Sequence, residues 1–255
     1  MAKKNPNLTG TQLEETINLL RDDANYYGKF GKKYLSNSDI ITLLKDPQSF
    51  GKEKEQTLPM LQGSYLHTAI LEPQKIDNFQ IVDMASRNSK AYKEMVAESG
   101  VPRLLLQKEK EELDLLVNAI IGNREWCGML IEDANIFEQP GIAEIHGMMW
   151  KGKCDVLGSD KLIDIKTTSD IDRFEWSAKT YNYDCQCVIY EAIFGKPMHF
   201  MVIEKGTCRM DLIDCSDDFR RNGERKIKEA IQVFNDYFVP DAPCDITQYF
   251  RRKTL

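Results

Sequence analysis

The first half of the chain repeats its apolar residues at spacings of three and four, which is the period of an amphipathic helix. Leu13, Ile17 and Leu20 show this period clearly, and Pro73 stops the third such segment, as expected at a helix end. The pattern predicts helices over Thr11–Gly28, Ser38–Leu44, Leu58–Leu71, Lys90–Ala97, Gln107–Ile121 and Asn123–Ile131.

The periodicity changes near residue 134, where short alternating runs are separated by glycines. These runs predict strands over Asn135–Gln139, Ile142–His146, Met148–Leu157 and Lys161–Lys166. The pattern then predicts helices over Ile171–Tyr181 and Asp184–Phe194, strands over Met198–Glu204 and Cys208–Ile213, and a closing helix over Asp217–Phe238. This order predicts an α/β fold with a mixed central sheet flanked by helices and preceded by a mainly helical N-terminal region.

A chain of 255 residues can form one domain with a large core and no disulfide bonds. We predict one domain, with a helical extension over residues 1–60, a core carrying the site over 61–215, and a closing helix and tail over 216–255. The seven cysteines are an odd number without C-x-x-C pairs or suitably placed histidines, so free thiols in a reducing cytoplasm are expected. No apolar run approaches the roughly 20 residues of a membrane span, so no membrane partner is expected.

The formal net charge of −6 argues against a nucleic-acid partner, because phosphates are bound mainly by Lys and Arg. The distribution of charge matters more than its sum, however. Basic groups occur at residues 32–33, 220–228 and 251–253. Such groups either line a binding groove or form solvated surfaces, and the sequence leaves both interpretations open.

The segment 151–168, KGKCDVLGSDKLIDIKTT, carries the strongest indication of a site. Asp155 ends one predicted strand, and Asp164 and Lys166 lie in the next. Residues two apart in a strand face the same side, so Asp164 and Lys166 project together. Carboxylates from neighbouring strands suit Mg²⁺, which water and phosphate oxygens then complete. The alternative is an ion pair on an edge strand.

Four further residues favour the metal site. His67 lies on a predicted helix, although a lone helical histidine is more often a core or surface residue than a ligand. Glu144 precedes the strand of Asp155, and we expect it to point toward the same site. Gln186 and Tyr190 are four residues apart and therefore share one helix face.

Several short motifs occur in a fixed order: G-x-x-x-H-x-x-x-L-E-P from Gly63 to Pro73, then Asp155, then D-x-K-T-T from Asp164, then Q-x-x-x-Y from Gln186. In this order they resemble the PD-(D/E)xK nuclease superfamily, and within it the RecE-type exonucleases and their phage relatives. The resemblance extends from about residue 63 to 205. It implies a restriction-endonuclease-like core.

The resemblance also implies roles for these residues. Divalent ions, Mg²⁺ or alternatively Mn²⁺, would be bound by His67, Asp155, Asp164 and the backbone carbonyl of Ile165, and no iron–sulfur cluster is expected. Lys166 would orient or deprotonate the attacking water, while Gln186 and Tyr190 would hold DNA or brace the site. Glu72 and Glu144 are candidates for supporting the metal ligands or adding to them.

The activity implied by the resemblance is digestion of linear double-stranded DNA, from 5′ to 3′, leaving 3′ single-stranded tails for a RecT-like annealing protein in recombination. A homo-oligomeric ring around the duplex and a phage-encoded enzyme acting in the bacterial cytoplasm are also implied. Two alternatives stay open: a DNA-binding or assembly module with an inactive nuclease site, and a structure-specific endonuclease.

Overall fold

Five strands form the central sheet of the computed structural model, which describes residues 10–53 and 55–251. Two short strands, β1 (Ile81–Val82) and β2 (Leu105–Leu106), form a separate parallel pair. The central sheet has the order β3 (Ile136–Ile145), β4 (Met148–Leu157), β5 (Leu162–Thr168), β6 (Met198–Glu204) and β7 (Met210–Asp214). Only β5 and β6 pair in parallel, while the other neighbours are antiparallel. The predicted α/β fold with a mixed central sheet is confirmed.

Helices cover both faces of this sheet. Some precede it in the chain, and others lie between or after its strands. They are α1 (Gly10–Leu20), α2 (Asp23–Tyr27), α3 (Asn37–Lys45), α4 (Leu58–Leu71), α5 (Lys90–Ser99), α6 (Gln107–Gly122), α7 (Arg124–Leu130), α8 (Phe174–Thr180), α9 (Tyr183–Phe194) and α10 (Asp217–Tyr237). Among the described residues, no helix combines the length and the apolar character needed to cross a membrane.

Alternate residues of β5 and β6 face different helices, as the two-residue period of a strand requires. Ile163, Ile165 and Ile203 are buried against α4 and α6. Leu162 and Phe200 are buried on the other side, against α8 and α9. Asp164 and Lys166 have the same parity as Leu162 and therefore project toward α9.

The predicted helix over Thr11–Gly28 is wrong in its middle, because the chain breaks into α1 and α2. Asp22 takes an extended conformation, and its side chain accepts a hydrogen bond from the backbone N–H of Ala24. A carboxylate at this position caps a new helix. The break turns α2 so that the aromatic rings of Tyr26 and Tyr27 lie beside lysines of β4.

The two predicted strands Asn135–Gln139 and Ile142–His146 are a single strand, β3, which runs through Gly141 without a turn. A side chain at Gly141 would clash with Ile193 and Phe194 of α9, so this glycine permits close helix packing. The turn to β4 lies instead at His146 and Gly147, whose φ angles are 52° and 74°. Two central residues with positive φ form the tight hairpin turn that matches strand twist.

Smaller differences occur at element ends. The helix predicted over Ile171–Tyr181 begins three residues later, at Phe174, and the strand predicted over Cys208–Ile213 begins at Met210. Residues 1–9 of the predicted N-terminal extension and residues 252–253 of the basic tail lie outside the described residues.

Candidate active site

The sheet forks between β4 and β5, and the fork contains the candidate site. β5 pairs with β6 along all seven of its residues, but with β4 only at Ile163 and Leu162. Beyond this point the N–H and C=O groups of Ile165 face the gap, where buried backbone groups need other partners. The N–H donates to Asp155 Oδ2 at 2.7 Å, and the carbonyl oxygen lies 2.8 Å from His67 Nε2.

His67 therefore bridges α4 and the fork. A carbonyl oxygen can only accept, so Nε2 carries the proton, and Nδ1 lies 3.3 Å from Asp155 Oδ1. Burial disfavours the imidazolium, but the Asp155 carboxylate outweighs this effect and raises the pKa of His67 to about 9. If the ring were neutral, the lone pair of Nδ1 would point at the Asp155 carboxylate, and the two would repel each other. Either a proton or a metal ion on Nδ1 removes that conflict.

Glu138, which the sequence interpretation missed, is a third candidate metal ligand. Glu138 lies on β3, opposite Asp155 of β4, between the register pairs Phe137↔Val156 and Gln139↔Cys154. Its φ angle is 47°. Ligand atoms of His67, Glu138 and Asp155 all lie within 4.8 Å of one another. Burial, followed by repulsion from Asp155, raises the pKa of Glu138 to about 7.

Asp164 is almost completely buried beside this group. Its Oδ1 accepts a hydrogen bond of 2.6 Å from Gln186 Nε2, and its Oδ2 forms an ion pair with the Lys166 ammonium. Burial raises the pKa of Asp164 to about 6, although Lys166 acts in the opposite direction. For Lys166, burial lowers the pKa, but the attraction of Asp164 prevails and leaves the pKa above its ordinary value.

Gln186 and Tyr190 lie on one face of α9, as their spacing predicts. Gln186 braces Asp164, whereas the ring of Tyr190 packs on Gly152 so closely that a Cβ there would lie 2.7 Å from Tyr190 Cε1. Tyr190 also lines the cavity in front of the site. Both side chains thus fix the positions of the strands that carry the carboxylates.

The two additional glutamates differ in position. Glu72 ends α4, forms an ion pair of 2.6 Å with Lys75, and lines the same cavity as His67 and Asp155. Glu144 is exposed on β3, six residues or about 20 Å along the strand from Glu138. The expectation that Glu144 points into the site is therefore wrong, and Glu138 takes that place. The tight turn at His146 and Gly147 determines the register and could have identified Glu138.

A cavity of about 780 Å³ opens in front of His67, Glu138 and Asp155. Lys151 and Lys153 also line it, at alternate positions of β4. Lys153 Nζ lies 4.7 Å from the ring centroid of Tyr26 and 5.6 Å from that of Tyr27, so these cations lie over aromatic faces. Burial lowers the pKa of Lys151 to about 8.

A neighbouring cavity of about 750 Å³ continues this groove. Both cavities are lined by Tyr27, Ser36, Ser38 and Lys151, and the second also contacts Lys32 and Lys52. The N-terminal segment therefore extends the groove with lysines, hydroxyl groups and the carboxylates of Asp39 and Glu53.

Residues 38–253 match the family model described as a PDDEXK-like domain of unknown function (DUF3799). The chain belongs to this family. The predicted membership of the PD-(D/E)xK superfamily is thereby confirmed, while the RecE-type assignment stays a prediction. In this PDDEXK-like domain, Asp155 and the Asp164-Ile165-Lys166 triplet meet at the fork.

Solved structures with a similar chain path include one from Eubacterium rectale, provisionally described as an exonuclease. It is 17% identical, has a TM-score of 0.64, and the match covers 92% of this chain and 95% of that chain. At this identity the likeness shows the fold of the PDDEXK-like domain. A phage-related exonuclease from Haemophilus somnus 129PT is 14% identical with a TM-score of 0.31, over 67% of this chain and 91% of that one. No curated protein matches.

The donor set of the PDDEXK-like domain fits a divalent cation. One imidazole and two carboxylates converge within 4.8 Å, and such nitrogen and oxygen donors suit Mn²⁺ as well as Mg²⁺. Glu138 and Asp155 repel each other when both are ionised, which a bound dication would reverse.

Proposed function

We propose that this chain is a metal-dependent exodeoxyribonuclease of the RecE type, which hydrolyses phosphodiester bonds at the ends of linear duplex DNA. The observation that carries the proposal is the fork itself. It concentrates the buried Asp155 and Asp164 with the partly buried His67, Glu138 and Lys166 at the base of a groove. Burying so many ionisable groups is unfavourable for folding, so a function, rather than stability, explains their presence.

His67, Glu138 and Asp155 would hold the cation, with Asp164 beside them, and Mg²⁺ or Mn²⁺ is the expected metal. When bound, such an ion lowers the pKa of water and neutralises charge that develops on the phosphate. Gln186 keeps Asp164 in place through its 2.6 Å hydrogen bond. His67 is in turn oriented by the carbonyl of Ile165, a common arrangement for a ligand histidine.

Lys166 is the cation closest to the carboxylates. Because Asp164 keeps its pKa above the ordinary value, its ammonium is charged near neutral pH and can only donate hydrogen bonds. It is therefore suited to orient the attacking water or to stabilise negative charge on the phosphate. The resemblance also implied that Lys166 could deprotonate the attacking water, but a charged ammonium is less suited to accept a proton.

The groove along β4 supports a nucleic-acid substrate despite the net charge of −6. Lys153 and Lys151 lie two and four residues before Asp155 on the same face of β4, in steps of about 6–7 Å, and Tyr27, which is 66% exposed, offers an aromatic ring beside Lys153. Lys151 is buried and donates to the carbonyl oxygen of Tyr26, and Lys153 is paired with Asp23. The phosphates of one strand would bind this row by replacing those partners.

The finer features of the proposal come from the resemblance: cleavage from 5′ to 3′, 3′ single-stranded tails for recombination, a RecT-like partner, a homo-oligomeric ring, and a phage-encoded enzyme of the bacterial cytoplasm. A structure-specific endonuclease and a binding module with an inactive site are the alternatives that the test must separate.

The test uses linear duplex DNA labelled at either 5′ end and closed circular DNA, each with Mg²⁺, Mn²⁺ or EDTA. We expect metal-dependent loss of the linear DNA alone, abolished by Asp164→Asn and retained by Asp160→Asn, an exposed carboxylate in the β4–β5 turn. Cleavage of the circle would indicate an endonuclease. Binding of DNA without cleavage of either form would indicate the inactive module.

A further inference from the structure

A third cavity, of about 680 Å³, lies beside the end of β5 that follows Lys166. Its wall begins with Thr167 and Thr168, the residues of β5 that directly follow Lys166. The rest of the wall comes from the loop after β5, from α8 and from the start of α9, including Asp170, Arg173, Trp176, Tyr181 and Tyr183. A cavity of this size is in the range that holds a small organic ligand.

The aromatic side chains form a continuous row from the candidate site to the surface. Lys166 Nζ lies 4.7 Å above the ring centroid of Tyr183. The rings of Tyr183 and Tyr181 are 6.0 Å apart and inclined by 36°. Tyr181 is 54% exposed, and Trp176, on the same cavity wall, is 70% exposed. The row thus connects Lys166 to solvent.

Packing does not account for Trp176. Helix α8 is held to the core by Phe174 and Ala178, which are both buried, while Trp176 points to solvent. A polar residue at this position would satisfy the helix equally well, so the exposed ring is available for contact with a ligand. Arg173, whose side chain is 83% exposed, lies on the same wall. Its Nε is 3.6 Å from Oδ2 of Asp170, which also lines the cavity, so a phosphate would compete with Asp170 for the guanidinium.

We infer that this cavity, the aromatic cleft, binds an unpaired nucleotide of the DNA strand being processed. The base stacks on Trp176 and Tyr181, and Arg173 faces the adjoining phosphate. Every base has a flat π-face, so such stacking tolerates any sequence, as a processive nuclease requires. The inference rests on the proposed function, since it takes Lys166 to face the phosphate that is cleaved.

Tryptophan fluorescence provides a direct test. The chain has three tryptophans, all within the described residues. Trp126 and Trp150 are 5% and 0% exposed, so a stacked base would quench Trp176 selectively. The wild-type chain is titrated in EDTA, which prevents cleavage, with single-stranded oligothymidylate and separately with a blunt duplex. We expect saturable quenching by the single strand and much weaker quenching by the duplex.

Variants then assign the signal. Trp176→Phe should remove the quenching but keep the affinity, measured by the anisotropy of labelled oligothymidylate. Trp176→Ala should weaken binding roughly 5- to 150-fold, which corresponds to the loss of one stacked base. Ile131→Ala is the matched control, because Ile131 is 71% exposed and does not line the cleft. It should bind like wild type.

The outcomes separate this inference from the proposed function. No quenching by the single strand, or unchanged affinity in Trp176→Ala, overturns the cleft even if the wild-type chain digests DNA. Quenching and loss of affinity in a chain that digests no DNA would overturn the nuclease proposal and leave the cleft as a single-strand binding site.

Discussion

The two edges of β5 satisfy their backbone hydrogen bonds in different ways. Toward β6, all seven residues of β5 pair, and Ile203 of β6 is buried beside this edge against α4 and α6. Toward β4, pairing stops after two residues, and Asp155 and His67 take over the hydrogen bonds of Ile165. The paired side contributes stability, whereas the forked side replaces backbone partners with groups that can bind a metal ion.

The largest expected effect comes from the forked side. Asp155→Asn keeps an oxygen that can accept the Ile165 N–H but removes the carboxylate charge next to His67. If the site is catalytic, the cleavage rate of linear duplex should fall by about 10⁴-fold or more, as is common when a residue acts as part of a unit. The rate is measured under single-turnover conditions. A residual rate within tenfold of wild type would show that Asp155 is not part of the catalytic site.

The paired side should respond in stability instead. Ile203 is completely buried between β6 and helices α4 and α6, so Ile203→Ala should reduce the free energy of unfolding by about 2–5 kcal/mol. Urea denaturation followed by circular dichroism measures this change. The activity per folded molecule should stay at the wild-type level. A loss of activity without a loss of stability would contradict the division between the two sides.

Metal affinity tests the role of Glu138. Glu138→Gln should weaken binding of Mn²⁺ by at least about 10- to 100-fold, the loss typical of a residue that merely supports a ligand, measured by calorimetry on the whole chain. Glu144→Gln on the same strand is the matched control and should bind Mn²⁺ normally, because this side chain is exposed and distant from the site. If both variants bound Mn²⁺ with the same affinity, Glu138 would not be a metal ligand.

The smallest expected effect is the pH dependence of stability without metal. The pKa values of Asp164, Glu138 and His67 are raised to about 6, 7 and 9, so the folded chain binds more protons than the unfolded chain. Stability then falls as pH rises. Glu138 contributes to this fall between its ordinary pKa of about 4.5 and about 7, and His67 between about 6.5 and about 9.

Thermal unfolding in EDTA should therefore show a Tm that decreases from pH 5 to pH 8. Saturating Mn²⁺ should flatten this decrease, since the cation compensates the repulsion between the carboxylates. In Glu138→Gln the decrease in EDTA should be shallower below pH 7. A Tm that rises over this interval in EDTA would show that the carboxylates do not crowd one another.

The sequence by itself determined the features that depend on periodicity within one element. The two-residue period of β5 places Asp164 and Lys166 on one face, and the four-residue spacing in α9 places Gln186 beside Tyr190. The mixed sheet followed from the alternating runs, and membership of the PD-(D/E)xK superfamily followed from the order of short motifs. Boundaries near Asp22 and Gly141 were wrong because a cap and a close helix contact leave no periodic signal.

Only the tertiary structure decided which groups from different elements meet. Glu138 faces Asp155 because the turn at His146 and Gly147 sets the strand register, so Glu138 rather than Glu144 reaches the site. The carbonyl of Ile165 is engaged by His67 because β4 and β5 diverge. Trp176 lines a cleft because α8 packs through its opposite face. Distances of this kind depend on turn geometry and packing between segments far apart in the chain, which local patterns do not encode.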